Sequence, residues 1–269
     1  MKHDSVGRAE LITFIGLTFA LSAIWYWLII ARGGLAHASW YVVALMWSPG
    51  ASALVTLLIF RHTVKGLGWR LPNIRWLALA YILPLAYATV AYGAVWLMGL
   101  GGLDLALAPH NPPIFVALGT VISLATATGE ELGWRGYLVP ALGRTMSLTR
   151  VTIVSGLIWA AWHVPLIAFA DYNAGTNTYY AVACFAISVV AISLPMAWLR
   201  LRSESVWPAA LAHASHNLYI QDFFDKVTVD TGKTRWLTGE FGAALSITIC
   251  ITAWLFWRRR HAVLTPISV

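Results

Sequence analysis

Residues 151–170 read VTIVSGLIWAAWHVPLIAFA, twenty residues without Asp, Glu, Lys or Arg. As a helix rising 1.5 Å per residue, this run is about 30 Å long, the thickness of a bilayer's hydrocarbon core. A buried strand or an ordinary core helix needs no apolar stretch of that length. Seven further runs of the same character lie at 11–31, 40–60, 76–100, 114–138, 179–199, 206–220 and 241–257. Helix is the state open to them, because backbone facing lipid must close its own hydrogen bonds. Pro49, Pro84, Pro165 and Pro195 fall inside the runs and predict kinks rather than ends. The run at 206–220 is the shortest and most polar of the eight.

The whole chain agrees with this reading. Of 269 residues, 59% are hydrophobic and 11% charged, and the mean hydropathy is +0.70. Soluble domains carry about 25% charged residues. The deficit excludes an ordinary soluble enzyme, a disordered regulator and a nucleic-acid module. Cys184 and Cys250 both sit in apolar runs, so no disulfide framework or CxxC metal site is on offer. Trp40, Trp76, Tyr179, Trp207 and Trp257 mark run edges, where amphipathic rings suit the interface. The expectation is an all-α polytopic membrane protein with about eight transmembrane helices, one transmembrane domain over 1–269, and no internal repeat.

The net charge of +7 is explained by topology rather than by nucleic acid. With both termini cytosolic, one side holds Lys2, Arg8, Arg61, Lys65, Arg70, Arg75, Arg144, Arg150, Arg200, Arg202, Arg258, Arg259 and Arg260. The other side holds Arg32, Lys226, Lys233 and Arg235. That asymmetry obeys the positive-inside rule, and it requires the polar seventh helix to span. A multi-pass protein of a bacterial plasma (inner) membrane is the expected setting. The first run imitates a signal peptide, with Ala36-His37-Ala38 as a cleavage site, but it exceeds the usual 7–15-residue apolar core. It is read as a retained helix.

Charge inside apolar runs is costly, about 2.5–3.5 kcal/mol per residue on insertion scales, so each case needs a reason. Nine of the eleven acidic residues, Glu10 and Glu240 among them, read as terminal or loop residues. Glu130 and Glu131 remain, both in the fourth run, with Arg135 as the embedded base and His163, His213 and His216 as embedded histidines. Glu131 and Arg135 are i,i+4 and share a helix face, as an internal ion pair would. Glu130 lies about 100° round the helix and is left for other work. The plainer alternatives are a structural pair at the membrane edge and helix-to-helix hydrogen bonding by His163, His213 and Asn217. His213 and His216, at i,i+3, also offer half of a metal site.

Depth favours a single site. Counted at 1.5 Å per residue from the expected cytosolic ends, Glu130, His163, His213 and Asn217 lie about 12, 18, 10 and 16 Å deep. A carboxylate, two imidazoles and a carboxamide in one layer on the cytosolic side suit hydrolysis of an amide or ester by water. Glu130 acts as general base with help from His163, while His213 and Asn217 donate to an oxyanion. That chemistry requires a water-filled cavity that opens to the cytosol.

Glu130-Glu131-x-x-x-Arg135, then an aromatic-x-x-x-His163, then His213-x-x-x-Asn217 resembles the CPBP family of intramembrane proteases. That family includes CAAX prenyl endopeptidases of the Rce1 type and bacterial lysostaphin-resistance and bacteriocin-immunity proteins. The resemblance covers about residues 114–222. It implies that Glu130 and His163 activate water, that His213 and Asn217 form the oxyanion site, and that Glu131 and Arg135 shape it. Trp159 stands where the family motif usually has Phe, which predicts altered packing or substrate fit. His216 has no counterpart in the motif.

Members of the family have been described as metal-independent glutamate proteases and as metalloproteases. In the second case Glu130, His163 and His213 would be the ligands of a divalent metal such as zinc. Glutamate-activated water is the favoured reading, with no cofactor, because no second carboxylate is left to serve as base beside a metal. The expected partners are membrane lipid and a membrane-associated or lipidated peptide, with no nucleic acid. Two other classes stay open: a non-catalytic membrane protein that binds a peptide or confers immunity, and a proton-coupled transporter.

Overall fold

The computed structural model describes residues 7–263; Lys2, counted above, lies outside them. The protein is an all-α, multi-pass membrane protein. Its helical rods are α1 (Arg8–Ala31), α2 (Ser39–Arg61), α3 (Ile74–Leu97), α4 (Pro112–Gly143), α5 (Leu148–Phe169), α6 (Thr178–Ser203), α7 (207–227) and α8 (Ala243–Arg258). The first six are long and apolar enough to cross a membrane. Asn111, Ser147 and Asn177 start α4, α5 and α6, each side chain accepting a hydrogen bond from the first turn's backbone N–H. The four internal prolines interrupt none of α2, α3, α5 or α6.

The two rods that outrun their apolar runs by the most both contain π-helix. In α4 the α-helical part Pro112–Glu131 gives way to a π-helical stretch, Leu132–Leu138, before Val139–Gly143 completes the rod. In α7, Trp207–His216 leads into a second π-helical stretch, Asn217–Phe224. The run read as 206–220 therefore continues to 227, where a two-residue antiparallel ladder joins Gly102–Leu103 to Thr228–Val229.

Neighbouring rods pack as α1 on α2, α2 on α4, α4 on α7, α7 on α3, α5 on α6, and α6 on α8. α1 is bound into the bundle: Tyr26 Oη donates to the Trp162 carbonyl, and Trp162 Nε1 donates to Ser22 Oγ at 2.7 Å. The α2–α4 contact is close, and small residues make it so. A Cβ on Gly129 would stand 2.7 Å from Trp47 Cγ, and one on Gly133 would stand 2.5 Å from Pro49 Cβ. Glycines four residues apart let two backbones touch, as between helices in lipid. The contact falls at the register of Glu130 and Glu131, so it fixes where α4 presents them.

Two charged residues are placed differently from expectation. Glu10, read as terminal, is buried in the first turn of α1 and pairs with Arg61 Nη2 at 2.9 Å. The helix starts at Arg8, ahead of the apolar run, and α2 supplies the counter-charge. Arg200, read as a cytosolic side charge, is also buried. Its Nε donates to the Arg135 carbonyl at 2.9 Å and its Nη2 to the Gly66 carbonyl at 3.3 Å.

The close contact gives a stability prediction. Gly133→Ala forces α2 and α4 apart and should cost about 1–3 kcal/mol, read as a lowered thermal midpoint in detergent. Gly93→Ala, at a position with nothing within 4 Å, should leave the midpoint unchanged.

Candidate active site

The last α-helical residues of α4 before its π stretch are Glu130 and Glu131, at 2% and 0% exposure. They have different surroundings. Glu131 Oε1 accepts from Arg135 Nη1 at 2.8 Å and from His213 Nδ1 at 3.0 Å. Arg135 Nη2 donates to Ser193 Oγ at 3.0 Å, and its guanidinium carbon lies 4.1 Å from the centroid of the Trp159 ring. One carboxylate and one guanidinium thus tie α4 to α5, α6 and α7. The ion pair expected from the i,i+4 spacing is present, and α7 adds a third member to it.

Glu130 has no part in that pair. Its Oε2 accepts from Trp159 Nε1 at 2.8 Å. The residue at the motif's departure from Phe is therefore the hydrogen-bond donor to the proposed base, a contact Phe cannot make. The Trp159 ring also lies edge-on to both imidazoles, with centroids 5.9 Å from His163 and 5.4 Å from His213. One turn further along α5, His163 Nδ1 lies 3.0 Å from the Trp159 carbonyl oxygen. A carbonyl only accepts, so Nδ1 carries the hydrogen and the Nε2 lone pair of the neutral ring is left to take a proton. By the same logic His213 gives its Nδ1–H to Glu131 and keeps Nε2 for a ligand.

Glu130, Trp159, His163, His213 and Asn217 all line one cavity of about 390 Å³. Asn217 is the first residue of the π-helical stretch of α7. Glu131 and Arg135 stand behind the wall. The side chains expected to meet in one place do so, from α4, α5 and α7.

The cavity lining reaches Leu35, Ser39, Tyr172 and Glu240, at the bundle end opposite the Arg-rich loops, and no residue of 61–73, 143–148 or 203–206 lines it. The depth of Glu130 differs from the count, because α4 extends to Gly143 and puts Glu130 about 20 Å from that end rather than 12 Å. Below the carboxylates every residue of Leu132–Leu138 is buried, so that end is plugged.

The cavity wall carries a second polar group that sequence reading missed. Glu240, read as a loop residue, accepts from Tyr172 Oη and lies 3.1 Å from His216 Nε2, whose Nδ1 meets Tyr87 Oη at 2.5 Å. Burial by itself would raise the Glu240 carboxyl, but the bonds to His216, Tyr172 and Gln221 hold it down at about 2. The i,i+3 spacing places His216 beside the site; nothing local to residue 240 signals its return to the cavity.

Glu130, His163 and His213 do not form a ligand group, and among the described residues no three His, Cys, Asp or Glu side chains are placed to hold a metal ion.

Residues 112–219 match the family model described as type II CAAX prenyl endopeptidase Rce1-like. A curated relative, CAAX prenyl protease 2 of Methanococcus maripaludis, is 32% identical over 99 residues, covering 35% of this chain and 36% of that protein. The chain thus spans about a third of that relative's length, and residues 112–219 contain the motifs on α4, α5 and α7.

Trp159→Phe removes the indole donor and leaves the buried Glu130 oxygen short of a partner. It should cost about 1–3 kcal/mol in detergent unfolding. In a Glu130→Leu background, where no acceptor is left stranded, the same change should cost much less.

Proposed function

From a chain that belongs, through residues 112–219, to the Rce1-like CAAX prenyl endopeptidase family, we infer an intramembrane endopeptidase that hydrolyses a membrane-associated peptide with glutamate-activated water. The observation carrying this reading is the split between adjacent carboxylates: Glu131 is consumed by Arg135 and His213, while Glu130 faces the cavity shared with His163.

The chemistry follows from those positions. A water between Glu130 and His163 gives its proton to the carboxylate as its oxygen attacks the scissile carbonyl carbon. His163 Nε2 accepts the water's other hydrogen as a hydrogen bond and orients the attacking lone pair. The carbonyl π bond breaks towards oxygen, and the oxyanion is met by the Asn217 amide and by His213 Nε2–H. In its imidazolium form His213 donates from both nitrogens, with Glu131 as counter-ion. Glu130 then returns its proton to the departing amine as the C–N bond breaks, so that water and one amide become a carboxylic acid and an amine. Trp159 holds the carboxylate in place throughout.

The setting is a multi-pass protein of a bacterial inner membrane, acting on peptide that is itself membrane-associated. Cleavage of a prenylated CaaX tail is one form this activity takes; the cavity's apolar walls, including Val42, Val43, Phe185 and Val189, suit any apolar side chain.

Purified protein should cleave members of a hydrophobic peptide library. Glu130→Gln should lower the rate by about 10²–10⁴-fold and Asn217→Ala by about 10²–10³-fold, with a chelator leaving the wild-type rate intact. Full activity in Glu130→Gln would refute the base, and loss on chelation restored by zinc would return the metal.

A further inference from the structure

The cavity holds a second carboxylate that the chemistry above leaves idle. Glu240 belongs to the connection between α7 and α8, yet its side chain lines the same cavity as Glu130, His163 and His213. Its Oε2 accepts from Tyr172 Oη, its Oε1 lies 3.1 Å from His216 Nε2, and Gln221 is a third donor. These bonds keep it ionised at neutral pH. A carboxylate offers about four acceptor sites, so three bonds leave room for one more donor.

Its charge is less well answered than its hydrogen bonds. A neutral His216 meets both of its partners, since Nε2–H donates to Glu240 and Nδ1 can accept the Tyr87 hydroxyl hydrogen. Tyr172 and Gln221 are neutral donors as well. No lysine or arginine is among the described residues that line the cavity. Arg135 stands behind the wall on Glu131, while Lys226 and Arg235 pair with Asp222 and Asp230 at 2.9 Å each. The Glu240 side chain is 11% exposed, in a cavity walled also by Val42, Val43, Phe185 and Val189. A negative charge in such surroundings attracts a cation far more strongly than it would in water.

The place of Glu240 follows from α7. His213, Asn217 and Gln221 recur at every fourth residue and all line the cavity. Gln221 is about one turn, roughly 5 Å, beyond Asn217. An extended peptide covers that distance in about two residues.

We propose that Glu240 is a subsite for a protonated amine of the bound peptide, a lysine side chain or the amino terminus, within about three residues of the carbonyl addressed by His213 and Asn217. The ammonium takes the free acceptor site as a charge-assisted hydrogen bond and answers the charge. The word peptide rests on the endopeptidase reading; the anionic subsite rests on the cavity lining alone.

Binding to the Glu130→Gln protein tests this, because the proposed base is then uncharged and peptide is not cut. Fluorescent hydrophobic hexapeptides carry one lysine, moved through every position, and matched peptides carry norleucine, which keeps the stem and lacks the ammonium. A further pair compares free and acetylated amino termini. One lysine position, or the free terminus, should bind at least tenfold more tightly than its uncharged match at neutral pH. Adding Glu240→Gln should bring that ratio below twofold, with affinity for the uncharged peptide kept within threefold as the sign of an intact cavity. Should that variant not fold, Glu240→Leu, which adds no polar group to be satisfied, gives the same readout. No preference for an ammonium at any position overturns the proposal, as does a preference that survives removal of the carboxylate. With Glu130 restored, the favoured peptide should be cleaved with a KM at least fivefold below that of its uncharged match, and equal KM values count against the subsite. Absence of all cleavage removes the endopeptidase reading and leaves the binding ratios to decide.

Discussion

One buried carboxylate organises the molecule. Glu131, wholly shielded from solvent, holds Arg135 on its own helix and His213 on α7, and Arg135 extends the group to Ser193 on α6 and the Trp159 ring on α5. An ionised group inside a membrane is tolerated when its charge is answered and its hydrogen bonds are supplied. Removing one partner of such a group usually costs about 3–5 kcal/mol, so each helix is held where its chemistry is needed. Glu131 is engaged through Oε1, while Glu130 one position earlier lines the cavity and accepts from the Trp159 indole.

The two π-helical stretches belong to the same design. A π turn adds a residue to the helical ring, disturbs the regular ladder of backbone bonds and occurs often at functional sites. In α4 the disturbed carbonyl of Arg135 is satisfied by Arg200, which also reaches the Gly66 loop and seals the bundle below the site. In α7 the π stretch begins at Asn217 itself, directly after the turn that bears His213. The close approach of α2 and α4 through Gly129 and Gly133 sets the height of this assembly. The result is a cavity backed on one side by charge and packing and lined by groups able to move a proton.

Much of this was legible. Uninterrupted apolar runs such as 151–170 leave little choice of structure, and the basic residues give the runs a direction. Glu130, Glu131, Arg135 and His163 stood out because each is costly in its run, and i,i+4 spacing separated the paired carboxylate from the free one. What could not be read depends on contacts between helices. Nothing in the sequence says that the Trp159 indole meets Glu130, that His213 shares the carboxylate of Glu131, or that Glu240 comes back to His216 across a loop. The depth of Glu130 was misread for a related reason: it was counted from a helix end that the apolar run does not mark, since α4 continues to Gly143 through buried, mixed residues.

The shared carboxylate is open to a direct measurement. A double-mutant cycle on unfolding stability, using Arg135→Met and His213→Leu, measures the coupling of two side chains that share Glu131 Oε1 and also flank the Trp159 ring. The account predicts a coupling of about 0.5–3 kcal/mol, the range for residues in one network, which falls when the cycle is repeated in Glu131→Gln. Additive effects in the Glu131 protein, or an equal coupling in Glu131→Gln, would contradict it.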